Sequence, residues 1–197
     1  MRNAGDDLGM QLDVYFSPDD QQNHVNQIRS VLSGADKPDF VVFKPFRKTT
    51  QAILSLCEQA KVPVISFNTL PFASEQRRLG LPRERFKYWL AALAPDDEKA
   101  GYDLGRVLLD EAHKRSLVDS QGQVGVLGIN GPMMDLPARN RGRGLRRAIE
   151  EDSAARLLQV VNIAWFQGDA ARVTSKLLRR HSEVSVVWTA ADVMALG

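Results

Sequence analysis

The sequence predicts an α/β protein whose strands run parallel and are covered by helices on both faces. Three observations lead there. Short runs such as residues 40–43 (FVVF) and 62–67 (VPVISF) are apolar at successive positions, the mark of strands buried on both sides. Between such runs lie segments of about ten to seventeen residues with apolar side chains at helical spacing. The two kinds alternate along nearly the whole chain, the order that feeds parallel strands through helical crossovers.

A polar, helical-looking start ends at Gly9. Residues 11–17 follow, with Val14, Tyr15 and Phe16 in a β-prone run that reads as a strand. Beyond Pro18 and two aspartates, Val25, Ile28 and Leu32 recur at helical spacing over residues 21–32, and Gly34 is placed to end that helix. Residues 40–43 form the next strand. Thr49 or Thr50 can cap a helix whose apolar face carries Ile53, Leu56, Cys57 and Ala60, before Lys61 and Pro63 stop it. Residues 62–67 are again strand. The rhythm continues with strand at 88–93, helix at 98–113, strand at 124–129, helix at 137–151, strand at 158–163, helix at 169–178 and strand at 184–189. Two segments interrupt it: residues 70–87, rich in Arg and Pro, and the polar residues 115–123. The first is long for a connection and reads as a surface excursion or a crossing between lobes.

Composition removes several function classes. With 26 basic and 24 acidic residues the net charge is only +2, which gives no electrostatic footprint for nucleic acid. Cys57 is the only cysteine, so no disulfide and no cysteine zinc cluster can form within the chain, and its plain role is a small apolar helix residue. His24, His113 and His181 are scattered without metal-binding spacing, and no metal or cofactor is expected. No apolar run approaches the ~18 residues that span a bilayer, and residues 1–9 lack the basic and apolar stretches of a secretory signal.

In wound sheets of this kind, ligands lie beyond the carboxyl ends of the strands, where helix N-termini present free amides. The positions of interest are therefore residues 44–47, 68–69, 95–97, 130–139, 165–167 and 190–192. They hold amides, carboxylates, an arginine and a tryptophan. They hold no adjacent nucleophile, base and orienting group, so no catalytic residue is expected and the chain reads as a binder, not an enzyme.

Five segments then carry a resemblance. They are GADKPDFVVFKPF (34–46), VPVISFN (62–68), PDDEKAGYDLG (95–105), ARNRGRGLRRAI (138–149) and HSEVSVVWTAADVMALG (181–197). In order and spacing they resemble the type I periplasmic binding proteins, in the sugar-binding branch with the ribose- and galactose-binding proteins. The resemblance implies two doubly wound lobes, residues 1–94 and residues 95–197, with a small polar ligand held between them. It implies a solute-binding component of an ABC importer, working in the periplasm with a membrane permease as partner, without nucleic acid and without inserting in the membrane itself.

Carried over residue by residue, the resemblance places Arg139 on a hydroxyl-binding arginine, Asp192 on the carboxylate after the last strand and Trp165 on a stacking aromatic. Asn68 stands where an aspartate is common and Thr69 where ribose binders have an arginine. The chemistry agrees independently of the family. Arg offers a planar fork of donors and Asp two acceptors, a complementary pair for vicinal hydroxyls, while Trp165 can cover the C–H face of a sugar with its indole N–H still available. Asn68 in place of a carboxylate, and Arg172 at a helix position where relatives often carry Asn, open the way to ligands other than ribose or galactose, including acidic ones. Arg139 and Asp192 are expected to approach one crevice from facing walls.

The resemblance also implies a strand ahead of residue 9 and further helix and strands beyond Gly197, so the chain reads as lacking segments at both ends. Without that first strand, residues 11–17 and 40–43 lose a shared neighbour, and an unpaired buried edge is costly.

Plainer readings stand beside these. Arg141, Arg143, Arg146 and Arg147 read as a solvated basic face. Asp96 and Asp97 read as helix N-terminal chemistry. Gly125, Gly128 and Gly131 lack the Lys-Ser/Thr of a phosphate loop. Two other functions use a related sheet: the effector-binding core of a lactose-repressor-type transcription regulator or a sensor ectodomain, and an enzyme on a doubly wound sheet.

Overall fold

The computed structural model describes residues 2–16, 20–46, 48–71 and 73–197. Ser17, Pro18 and Arg47, each part of a segment read above, lie outside them. The chain divides into two compact units, Met1–Phe67 with Pro71–Leu93, and Asn68–Leu70 with Ala94–Gly197.

The first unit contains α1 (Arg2–Asp7), α2 (Gln21–Ser33), β1 (Val41–Phe43), α3 (Thr50–Ala60), β2 (Val64–Phe67), α4 (Ala73–Leu79) and β3 (Trp89–Leu93). The strands form a parallel sheet in the order β1-β2-β3. Its register sets Val41 beside Val64 and Val64 beside Trp89, so all three point to one face. There they meet Leu32 of α2 and Ile53, Leu54 and Cys57 of α3 in a single core. Burial pushes the Cys57 thiol up to about 12, which leaves it an inert apolar filler, as its position on the helix implied.

Two expectations fail in this unit for one reason. The described residues 11–16 are not strand, and Val14, Tyr15 and Phe16 are exposed. Strand β1 is shorter than the run 40–43, and Val42 on its outer face is exposed. A strand exists through its ladder, and among the described residues β1 pairs only with β2, so propensity at 11–16 has no partner to act through. The segment 70–87 is not merely a surface excursion either. It contains α4, whose Leu79 is buried in the core. Seven residues with one apolar anchor give too little periodicity to be recognised from sequence.

Helix α4 also buries Glu75, with one carboxylate oxygen, Oε2, unpartnered among the described residues. Burial raises its pKa above the ordinary carboxylate value, opposed by the backbone N–H of Gln51 at the head of α3 and by Arg78. An acid raised in the folded chain holds its proton over a window where the unfolded chain has lost it. Stability therefore falls as pH rises from the ordinary Glu value through the folded one. Glu75→Gln is expected to flatten this slope and to raise the urea midpoint at neutral pH, measured against mildly acidic pH. An equal pH slope in both proteins would contradict it.

The second unit contains α5 (Asp97–Lys114), β4 (Val124–Asn130), α6 (Leu136–Glu150), β5 (Ala155–Asn162), α7 (Gln167–Arg180), β6 (Val184–Thr189) and α8 (Asp192–Ala195). Its parallel sheet has the order β5-β4-β6, and central β4 is buried throughout. Alternation along β4 sends Val124 and Val126 to α5 and α6, and Leu127 and Ile129 to α7 and α8. Helices thus cover both faces, the doubly wound arrangement that the alternating pattern predicts.

Glycines permit the close contacts here. A Cβ on Gly125 would run into the Glu183 carbonyl and one on Gly131 into the Trp165 ring, so these are packing positions and not a phosphate cradle. Asp96 caps α5 by accepting from the Lys99 N–H at 2.9 Å, as read from sequence. Among the described residues no helix is long and apolar enough to cross a membrane.

Candidate functional site

The strand tips of the second unit are tied together by three polar devices. First, β4 ends on the buried amide of Asn130, which donates to the Ala138 carbonyl at 3.0 Å and accepts from the Gly131 N–H at 2.9 Å. The side chain thereby shapes the loop that leads into α6. Gly142 on α6 leaves the room for it, since a Cβ there would lie 2.7 Å from Asn130 Nδ2.

Second, Asp135 occupies the N-cap position of α6 but makes no capping bond. Its carboxylate instead accepts the Trp165 indole N–H at 2.7 Å, joining the loop after β4 to the loop after β5. Third, Arg141 on α6 donates from Nε to Asp97 Oδ1 at 2.8 Å and from Nη1 to the Ala190 carbonyl at 2.8 Å. This joins the first turn of α5 to the end of β6. Asp97 is only 5% exposed, and its pairing with Arg141 goes beyond the helix-dipole role its position suggested.

Two charged groups beside these devices are left over. Arg139 and Asp192 are exposed, and among the described residues neither side chain has an ion pair or hydrogen bond. Arg139 lies in the first turn of α6, following β4, and Asp192 opens α8, following β6; β4 and β6 are neighbours in the sheet. A free donor fork and a free carboxylate therefore stand at the tips of adjacent strands, the complement of a polyhydroxy ligand.

The five residues expected from sequence all fall within the second unit, because Asn68–Leu70 groups with it. Asn68 is exposed and has a φ of 74°, in the left-handed region that Asn tolerates better than most residues. That backbone demand is one physical reason for an amide at this position. Thr69 is buried, with its hydroxyl donating to the Leu70 carbonyl at 3.3 Å.

Three expectations need correction. Arg139 and Asp192 do not come from facing walls, since both belong to the second unit. The Trp165 N–H is not available to a ligand, because Asp135 accepts it and the half-buried ring rests against Gly131. Arg141 is not part of a solvated basic face: two residues from Arg139 it sits about 200° around the helix, turned to α5. Arg143 and Arg147 are engaged as well, both with Glu98, and Arg147 stacks 4.0 Å over the Tyr102 ring.

Sequence reasoning missed Asp135 and Arg141 as organising residues. No sequence signal announces either one, since their partners are 30 and 44 residues away. A hollow of about 370 Å³ lies against α5 and α6, lined by Glu98, Lys99, Tyr102, Asp103 and Arg147 among others, and includes none of the five expected residues. Its charges are already paired, Lys99 with Asp103 at 2.5 Å and Glu98 with Arg147 at 3.9 Å and with Arg143 outside the hollow.

Comparison with known proteins agrees with this architecture. The family model described as a periplasmic binding protein domain matches residues 1–197. A periplasmic sugar-binding protein from Pseudomonas fluorescens is 30% identical with a TM-score of 0.80, over 100% of this chain and 55% of that one. An ABC transporter periplasmic solute-binding protein from Actinobacillus succinogenes, with bound D-allose, is 18% identical with a TM-score of 0.84 and is covered over 64% of its length by 100% of this chain. The periplasmic binding component of the arabinose ABC transporter from Shewanella sp. ANA-3, bound to α- and β-L-arabinofuranose, is 20% identical with a TM-score of 0.79, over 100% of this chain and 59% of its own. The chain thus spans between 55% and 64% of these three structures, and the last two, at 18% and 20% identity, bear on the fold alone. No curated protein matches. With a wound sheet in each unit and a family match over its whole length, the chain belongs to the periplasmic binding protein family.

Proposed function

We propose that this protein is the solute-binding component of an ABC importer, working in the periplasm, and that it takes a small polar ligand, a sugar first. Residues 1–94 and 95–197 act as its two lobes, and a membrane permease is its partner. It makes and breaks no bond; its work is recognition. One observation carries the reading. Among the described residues Arg139 and Asp192 remain free at the tips of neighbouring strands, while Asn130, Asp135, Trp165, Asp97 and Arg141 are all engaged with one another or with backbone. Charged groups left without partners where a family of binders holds its ligands suit hydroxyls that donate to Asp192 and accept from Arg139. The 30% identical protein from Pseudomonas fluorescens, named a periplasmic sugar-binding protein, supports the ligand class.

The test is a thermal-shift screen of monosaccharides, D-allose and L-arabinose among them, followed by small acids. A ligand at a hundred times its Kd is expected to stabilise the chain by about 2.7 kcal/mol. For a sugar so found, Arg139→Ala is expected to weaken binding by about tenfold to a hundredfold, the cost of lost charged hydrogen bonds. Asp192→Asn is expected to weaken it less, since one acceptor oxygen remains. Binding unchanged in both variants, or stabilisation by acids alone, would overturn the sugar assignment.

A further inference from the structure

We propose that the end of α4 and the turn that follows it, residues 77–88, form an interaction surface for the anionic phosphate face of a lipid bilayer, against which the chain rests without inserting. The surface is separate from the proposed ligand site and does not depend on it. Strand β3 begins at Trp89, directly after the turn, so the turn lies where the strands of the first unit start and not at their tips.

Charge is concentrated here. The chain carries a formal +2, and residues 77–87 hold Arg77, Arg78, Arg83, Arg85 and Lys87 against the single acid Glu84, so the rest of the chain is net acidic. All five cations are exposed, and among the described residues none makes an ion pair. Arg78 acts on the buried Glu75 only through space. On α5 and α6, by contrast, surface arginines are spent on acids, Arg106 on Asp110, Arg115 on Glu111 and Arg143 on Glu98. Arg77 and Arg78 have a plain role at the C-terminal end of α4, where cations suit the helix dipole. Arg83, Arg85 and Lys87 belong to no helix and have no such role.

The turn that carries them is built, not loose. Leu79 anchors one end in the core and Trp89 the other. Between them Arg83 has a φ of 69°, a left-handed conformation that a residue with a Cβ adopts only when its surroundings hold it there. Its N–H donates to the Trp89 carbonyl at 3.0 Å, and the Arg85 guanidinium donates to the Arg78 carbonyl, tying the turn back to the helix end. Glu84 turns to the backbone, where Oε2 accepts the Leu81 N–H at 2.8 Å. The one acid is thus spent on the turn itself, and Leu81, 67% exposed, stands between the cations of α4 and those that follow. An apolar tip flanked by long cationic side chains fits phosphates lying over hydrocarbon, since the cations reach the headgroups and the tip reaches the boundary beneath them. An acidic protein face would satisfy the cations without using Leu81.

The test is co-sedimentation of the intact chain with vesicles of phosphatidylcholine alone and of phosphatidylcholine mixed with phosphatidylglycerol. At about 0.1 M salt, binding is expected to the anionic vesicles only, and about 1 M salt should release it. Each cation at an anionic surface is worth about fivefold in partitioning, so Arg77→Gln, Arg83→Gln and Lys87→Gln together should weaken binding about a hundredfold. These side chains have no ion pair to lose, so the urea midpoint of the triple variant should match the wild type. Leu81→Ser should weaken binding about fivefold or more at unchanged charge. Lys176→Gln, Arg179→Gln and Arg180→Gln at the exposed end of α7 remove the same net charge and should weaken it less than about threefold. Equal or absent binding on the two vesicle types, full binding by the Arg77, Arg83 and Lys87 variant, or an equal loss in the α7 variant would each overturn the proposal. Wild-type binding by Leu81→Ser, with polyglutamate displacing the chain from the vesicles, would assign the cations to an acidic protein and overturn the lipid.

Discussion

Trp89→Ala is expected to cost the first unit about 4 kcal/mol, within the range for removing a buried Trp, and to leave it largely unfolded at ambient temperature. Trp89 is 3% exposed at the start of β3, where it closes the end of a core shared with α3 and α2. The loss is not only volume. Its indole N–H donates to the hydroxyl of Ser66, which is 0% exposed, at 3.2 Å. Truncation leaves that hydroxyl in a dry site without its donor, a penalty of about 1–3 kcal/mol by itself. Trp89→Phe separates the two contributions: it keeps most of the packing and removes the donor, so it should cost about 1–2 kcal/mol. Adding Ser66→Ala to it should recover part of that cost. Urea unfolding followed by far-UV circular dichroism measures all three. If Ser66→Ala brings no recovery, the buried hydrogen bond does not contribute as described.

Gly144→Ala is expected to destabilise the second unit by about 3 kcal/mol, at the upper end of overpacking penalties, although Ala is the better helix former. A Cβ on Gly144 would collide with the Glu98 carbonyl, and no side-chain rotation relieves a contact between a Cβ and a backbone oxygen. The two helices would have to separate. Their approach depends on the same device elsewhere, since a Cβ on Gly105 would lie 2.9 Å from that of Ala148. Gly168, also helical, has nothing within 4 Å of its place for a Cβ, so Gly168→Ala should stabilise slightly, by about 0.5–1 kcal/mol. A shift in opposite directions for the two glycines is the expected signature in urea midpoints. Equal and small effects would show that α5 and α6 can yield at little cost.

Much of the second unit was legible before any coordinates. Strands 124–129 and 184–189 and the helices between them emerge within a few residues of where periodicity put them. Each of these elements is long enough for its pattern to be unambiguous, and each strand finds helices on both faces. The first unit was less legible. Residues 11–16 have strand propensity without a ladder, and α4 has a ladder of its own but too few residues to show a period.

The site divides along the same line. Arg139 and Asp192 could be named from position alone, because strand tips in a wound sheet are where polar groups meet ligands. Trp165 was named with the wrong freedom. Its N–H is spoken for by Asp135, a residue in another loop that no local pattern connects to it. Likewise Arg141 looked like one member of a basic run until α5 was seen to pass beside it.

The amino-acid pattern by itself determined the alternation of strand and helix, the parallel sheets and the strand tips that bear charge, because hydrophobic period and chain order are local quantities. Only the tertiary structure decided which charges are spent and which are free. A guanidinium is committed or available according to what another helix places within 3 Å of it, and that depends on the packing of α5 against α6 through glycines, a contact between residues more than 40 positions apart.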